Sequence, residues 1–155
     1  MRIVILDDFQ GVALASADWS ALPGEWEIDV LREHIASRDE LVRRLRGCRV
    51  VVAMRERTPL PADVLGRLDD LRLIVTTGMA NASIDLDAAA QRGITVCGTR
   101  MPTRQTVELA WTLIMATMRG VVDEDRAVRE GRWQCLLGRE IAGATLGVVG
   151  LGRIG

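Results

Sequence analysis

Short apolar runs that alternate with stretches of helical periodicity constrain this chain more than any other feature. Residues 2–6, Ile28–Leu31, Val50–Met54, Leu71–Thr77 and Ile94–Cys97 read as strands. The run Val50-Val51-Val52-Ala53-Met54 is apolar at every position. That pattern suits a strand covered on both faces, as in parallel sheets, and not the in-out alternation of a half-solvated sheet. Between the runs lie predicted helices. One is expected over 11–22, ended by Pro23-Gly24. A second starts at Ser37-Arg38-Asp39-Glu40, a capping-box pattern, and Gly47 supplies its left-handed stop. A third has Pro61 near its first turn, with Val64, Leu65 and Leu68 on one face, and a fourth, Leu86–Arg92, has Asp85 as its cap. Strand–helix repetition implies an α/β fold with parallel pairing and right-handed crossovers.

Near residue 100 the pattern changes. Gly98–Arg104 reads as a linker containing Pro102, followed by a long helix from about 103 to 119. This helix is apolar almost all round, with Val107, Leu109, Trp111, Leu113, Ile114, Met115 and Met118, and is expected to be buried on several sides. A charged helix over about Val122–Glu130 and a strand over 145–150 are expected after it.

The composition narrows the function classes. The 155 residues carry 20 basic and 21 acidic side chains without a basic stripe, which argues against nucleic acid or an anionic membrane as partner. No apolar run approaches the roughly 18 residues of a membrane span, and Arg2-Ile3-Val4-Ile5-Leu6 does not resemble a targeting peptide, so a cytoplasmic protein is expected. The three cysteines are widely separated and form no Cys-x-x-Cys. They read as small core-filling residues, and no metal site is expected. The single histidine, His34, falls in no motif and reads as a surface residue. Asp7-Asp8 follows the first strand with no assigned chemistry.

Gly150-Leu151-Gly152-Arg153-Ile154-Gly155 is a G-x-G-x-x-G after a predicted strand. The first glycine of such a motif makes a tight turn, the second admits a pyrophosphate, and the third lets the next helix approach the sheet. Alone the pattern is weak, because a glycine-rich strand end looks the same. The segment Gly138–Gly155, GREIAGATLGVVGLGRIG, closely resembles the D-isomer-specific 2-hydroxyacid dehydrogenase family, which carries G-x-E-L-x-G-K-T-L-G-I-I-G-L-G-R-I-G there. Arg55-Glu56-Arg57-Thr58 resembles that family's R-S-x-T loop. Residues 77–86, TGMANASIDL, resemble its G-x-G-x-D-N-I-D-L loop. Residues 88–96 resemble A-A-x-x-x-G-I-x-V, and Thr106–Trp111 resembles T-A-E-L-T-W. Together these motifs run through nearly the whole chain.

The resemblance implies a flavodoxin-like, parallel-sheet substrate domain over 1–100. It implies that residues 101–155 are a linker helix and the first helices and strand of an NAD-binding Rossmann domain. In such enzymes hydride passes between C2 of a 2-hydroxy or 2-keto acid and nicotinamide. The family's catalytic histidine, glutamate and arginine lie downstream of the glycine motif. The resemblance therefore implies no catalytic residue within this chain, and an N-terminal portion that is inactive alone. It implies that Arg55 and the backbone amides of Met79 and Ala80 bind substrate, and that Thr106, Gly150, Gly152, Arg153, Ile154 and Gly155 bind NAD. It also implies a homodimer through the 103–119 helix. Ala80 stands where the family has a second glycine, and Ala82 and Ser83 where it has Asp-Asn. Because alanine restricts positive φ, the loop is expected to bend differently.

Two rivals differ in class. A signalling receiver domain shares the acidic pair after its first strand, but needs an aspartate where Met54 stands and a lysine near Gly98-Thr99-Arg100. A non-catalytic small-ligand-binding or interaction module needs no downstream residues. It leaves the long apolar helix to be covered by a partner.

Overall fold

The computed structural model describes residues 1–100 and 102–155. Met101, where the sequence reading sets the linker and the domain boundary, lies outside the described residues. Two compact units are present, Met1–Met101 and Pro102–Gly155.

The first unit is built on five parallel strands: β1 (Arg2–Ile5), β2 (Glu27–Val30), β3 (Val50–Ala53), β4 (Leu73–Thr76) and β5 (Thr95–Gly98). Their order is β2-β1-β3-β4-β5. The helices α1 (Arg38–Leu45), α2 (Ala62–Leu65) and α3 (Leu86–Gln91) join β2 to β3, β3 to β4 and β4 to β5. All three connections step the same way across the sheet, so right-handedness puts all three helices on one face. The register aligns Val4, Val51, Ile74 and Val96 on that face. There Val4, Val51, Ala53 and Ile74 form one core with Leu41, Val42, Leu45, Val64, Leu65 and Ala89. The β1–β2 connection steps the other way and lies on the opposite face by the same rule. On that face Ile3 and Ile5 are buried, whereas Val50, Val52, Leu73 and Val75 are only half-buried. The sheet is thus fully covered on one face, and not on both as the unbroken apolar runs suggested.

The caps follow local chemistry. Asp85 accepts a hydrogen bond from the Ala88 N–H at 2.9 Å, and Gly47 has φ +79. Ser37 accepts one from the Glu40 N–H, while the Glu40 carboxylate pairs with Arg43 instead of returning to the cap. The helix expected over 11–22 does not form. Two short 3-10 turns, Leu14–Ser16 and Trp19–Ala21, take its place. The Asp8 carboxylate captures the N–H groups of Val12 and Ala13 at 3.1 and 3.0 Å, and Asp18 captures that of Ser20 at 3.1 Å. Side chains that bond nearby backbone in this way compete with helical pairing.

The second unit begins with α4 (Arg104–Arg119), which ends at Gly120 in the left-handed conformation (φ +62), and continues with α5 (Val121–Arg129). No residue of α4 is buried, contrary to the expectation for so apolar a helix. Leu109, Trp111, Leu113 and Met115 are exposed. Residues 145–150 form no strand. No strand is present among the other described residues of this unit, so the backbone of this run has no ladder to join. Among the described residues, no helix is long and apolar enough to cross a membrane.

Candidate functional site

In an open parallel sheet the strand order reverses where two connections diverge to opposite faces, and loops at the carboxyl ends there leave a crevice. Here the reversal falls between β1 and β3. The loops at that edge are Asp7–Phe9 after β1, Met54–Thr58 after β3, Thr77–Asn81 after β4 and Thr99 after β5.

The β3 and β4 loops are locked together at Arg55. This residue has φ +54, a left-handed backbone conformation that non-glycine residues adopt at a cost. Its N–H donates to Thr77 Oγ1 at 3.1 Å, and its carbonyl accepts from Asn81 Nδ2 at 2.6 Å. Its guanidinium lies against Gly78, where an added Cβ would come within 2.5 Å of Nη1. Gly78 itself has φ +132, a conformation that disfavours a side chain, and the guanidinium would have to move to admit one. Met79 and Ala80 follow directly and are exposed. Among the described residues neither of their backbone N–H groups has an acceptor. The structure therefore brings the Arg55 guanidinium to the start of the turn that carries Met79 and Ala80, the three residues chosen from sequence for substrate.

Ala80 is not among the residues with positive φ. The substitution of alanine for glycine is thus free of backbone strain. At the other departures, Ala82 is exposed, and Ser83 donates its N–H to Asn81 Oδ1 at 2.9 Å and its hydroxyl to the Glu56 carbonyl.

Sequence reading missed two contributors. Gly98 ends β5, and a Cβ there would lie 2.8 Å from the Gly78 carbonyl oxygen and 2.9 Å from Met79 Cα. The turn can rest on β5 only because residue 98 has no side chain. A glycine at a strand end was the available signal. Asn81, at a variable position of the loop motif, offered none.

His34 lies on the surface, as expected, but makes a contact that the sequence did not signal. Its side chain is partly exposed, yet Nδ1 lies 3.2 Å from Oδ1 of Asp7, which is 1% exposed. The other Asp7 oxygen accepts from the Thr58 hydroxyl at 2.7 Å, and the Asp7 carbonyl accepts from Arg57 Nη1 at 2.9 Å. Asp7 has φ +55. A buried carboxylate needs such partners, because an unsatisfied one is costly. Asp7 therefore ties the end of β1 to the far end of the Arg55–Thr58 loop. The neighbouring Asp8 carboxyl is held below the usual carboxylate range, chiefly by the Ala13 N–H.

In the second unit, Thr106 is exposed in the first turn of α4, and Thr103 occupies the cap position. Gly150 has φ +85, and a Cβ on Gly155 would fall 2.7 Å from the Gly150 carbonyl oxygen. The 150–155 turn thus disfavours side chains at its first and last glycines. Arg153 and Ile154 are exposed. The strand expected before the motif is not formed.

Two open amides beside a guanidinium suit a carboxylate, which accepts several charge-assisted hydrogen bonds. The one histidine of the chain is engaged with Asp7.

Comparison with known proteins agrees with the motifs. The family model described as D-isomer specific 2-hydroxyacid dehydrogenase, catalytic domain, matches residues 3–147. A glyoxylate reductase of Korarchaeum cryptofilum is 33% identical over 144 residues, which is 88% of this chain and 43% of that protein. A D-3-phosphoglycerate dehydrogenase of Archaeoglobus fulgidus is 38% identical over 122 residues, 77% of this chain and 23% of that protein. The crystal structure of a phosphoglycerate oxidoreductase from Vibrio cholerae superposes with a TM-score of 0.90 at 34% identity, covering 99% of this chain and 50% of that one. The chain thus spans half or less of the length of these relatives. The parallel α/β sheet, the motifs along the chain and the matched residues together establish that this chain belongs to the D-isomer-specific 2-hydroxyacid dehydrogenase family.

Proposed function

We propose that residues 1–100 are the substrate domain of an NAD-dependent oxidoreductase acting on small 2-hydroxy and 2-keto acids. In this reading the amides of Met79 and Ala80 and the guanidinium of Arg55 hold the substrate carboxylate. The observation that carries it is the packing of Arg55 against Gly78, beside two amides without acceptors among the described residues.

Residues 101–155 are read as the linker helix and the beginning of the Rossmann domain. Gly150, Gly152, Arg153, Ile154 and Gly155 would hold the pyrophosphate of NAD, with Thr106 facing the cofactor. The bound nicotinamide supplies the hydride chemistry. The side-chain-free positions at Gly150 and Gly155 support this assignment. The 155 residues alone are expected to bind ligand without turnover, since the one histidine, His34, lies in none of the family's motifs. Exposed Leu109, Trp111, Leu113 and Met115 support pairing of two copies through α4. The free thiols of Cys48, Cys97 and Cys135 fit a reducing, cytoplasmic setting.

Calorimetric titration with oxamate, an unreactive 2-keto acid mimic, tests the site. Binding is expected, and Arg55→Ala should weaken it about tenfold or more, the worth of a charge-assisted hydrogen bond. Absence of binding to the unaltered chain, or an Arg55→Ala variant that binds equally well, would refute the assignment. Light scattering on the same samples reads the pairing.

A further inference from the structure

We infer that Asn81 is a positioning residue that holds Arg55 in its left-handed conformation and so sets the guanidinium beside the carboxylate-binding turn. The inference rests on the substrate-site reading above.

Asn81 is 9% exposed, and three of its side-chain hydrogen-bonding positions are used. Nδ2 donates to the Arg55 carbonyl at 2.6 Å and to Thr76 Oγ1 at 2.9 Å, and Oδ1 accepts from the Ser83 N–H at 2.9 Å. These partners settle which end of the amide is which. The Arg55 carbonyl can only accept and the Ser83 N–H can only donate. The bond to Arg55 spans 26 positions in sequence and crosses from one strand to the next.

Arg55 needs such a clamp for two reasons. Positive φ is unfavourable for a residue with a Cβ, and Arg55 is exposed, so core packing does not enforce it. What fixes its backbone are two bonds to the β4 loop: its N–H donates to Thr77 Oγ1, and its carbonyl accepts from Asn81 Nδ2. Asn81 also lies directly after Met79 and Ala80, so the residue that clamps the arginine terminates the turn bearing the two open amides. Asn81 therefore links the backbone of Arg55 directly to the turn that bears the two open amides. Serine lacks the reach for all three partners, and aspartate lacks the donor that Arg55 requires.

The test is a double-variant cycle read by oxamate titration, with amide hydrogen exchange at Arg55. Asn81→Ala removes the clamp. Asn81→Asp keeps the oxygen used by Ser83 but points oxygen at the Arg55 carbonyl, and guards against a fold defect in the alanine variant. Both should weaken oxamate about tenfold and expose the Arg55 N–H to faster exchange, the loss expected for one or two buried hydrogen bonds. In an Arg55→Ala background the Asn81 variants should change affinity less than about twofold, because the residue acts through Arg55. A generally destabilised loop would instead weaken binding in both backgrounds, and that result overturns the inference. Asn81 variants that bind oxamate like the unaltered protein overturn it too, while leaving the substrate-site reading intact. Failure of the unaltered protein to bind oxamate overturns both.

Discussion

Replacing Gly98 by alanine tests whether the turn over β5 is the ligand-binding element. The added Cβ would stand 2.8 Å from the Gly78 carbonyl oxygen, 2.9 Å from Met79 Cα and 2.9 Å from the Met79 carbonyl oxygen. All three are backbone atoms, so no side chain can swing aside. Ordinary contact begins near 3.4 Å, and the turn must therefore retreat by about half an ångström. Retreat also stretches the bonds from the Thr99 N–H to the Gly78 carbonyl, 3.0 Å, and from the Gly78 N–H to Thr99 Oγ1, 3.1 Å. Overpacking of this kind costs about 1–3 kcal/mol. For a unit of about 100 residues that lowers Tm by roughly 5–20 °C. The same movement displaces the Met79 amide and should weaken oxamate binding. Gly93→Ala is the control. Gly93 has φ +65 with nothing within 4 Å of an added Cβ, so the cost is the left-handed conformation alone, about 1–2 kcal/mol. It should lower Tm and leave oxamate affinity unchanged. Thermal denaturation by circular dichroism and calorimetric titration read the two effects. A Gly98→Ala protein with unchanged Tm and affinity would refute the reasoning.

Two further outcomes follow from burial. Thr58→Val preserves shape but removes the hydroxyl that donates to buried Asp7 at 2.7 Å, and should cost about 1–3 kcal/mol in urea denaturation, with Thr58→Ser restoring most of it. A loss below about 0.5 kcal/mol would show the Asp7 network to be unimportant for stability. Burial pushes the Cys48 thiol up to about 11, whereas Cys97 and Cys135 are exposed. A disulfide reagent at pH 8 should therefore label two thiols in the folded chain and the third only after unfolding, and immediate labelling of all three would contradict the packing around Cys48.

Local pattern carried the elements whose determinants lie within a few residues of one another. The apolar runs became β1, β3 and β4, Asp85 and Ser37 cap the helices they precede, and Gly47 follows α1 in the left-handed conformation. Resemblance to the family's loop motifs singled out Arg55, Met79 and Ala80. Where a side chain with stronger local options intervened, periodicity misled: Asp8 and Asp18 turned the expected 11–22 helix into two short turns.

What only the tertiary structure decided are the pairings between strand ends. Asp7 meets His34 27 positions away and Thr58 51 positions away, Asn81 reaches back to Arg55, and Gly98 lies under Gly78. A histidine that belongs to no motif thereby becomes the partner of a buried carboxylate. Such contacts depend on which strands are neighbours and in what register, and hydrophobic periodicity is blind to both. The sequence by itself determined that parallel strands and covering helices form, because burying apolar surface is a local, repeated demand. Sheet order and register then determined which loops share an edge, and hence which polar groups satisfy one another there.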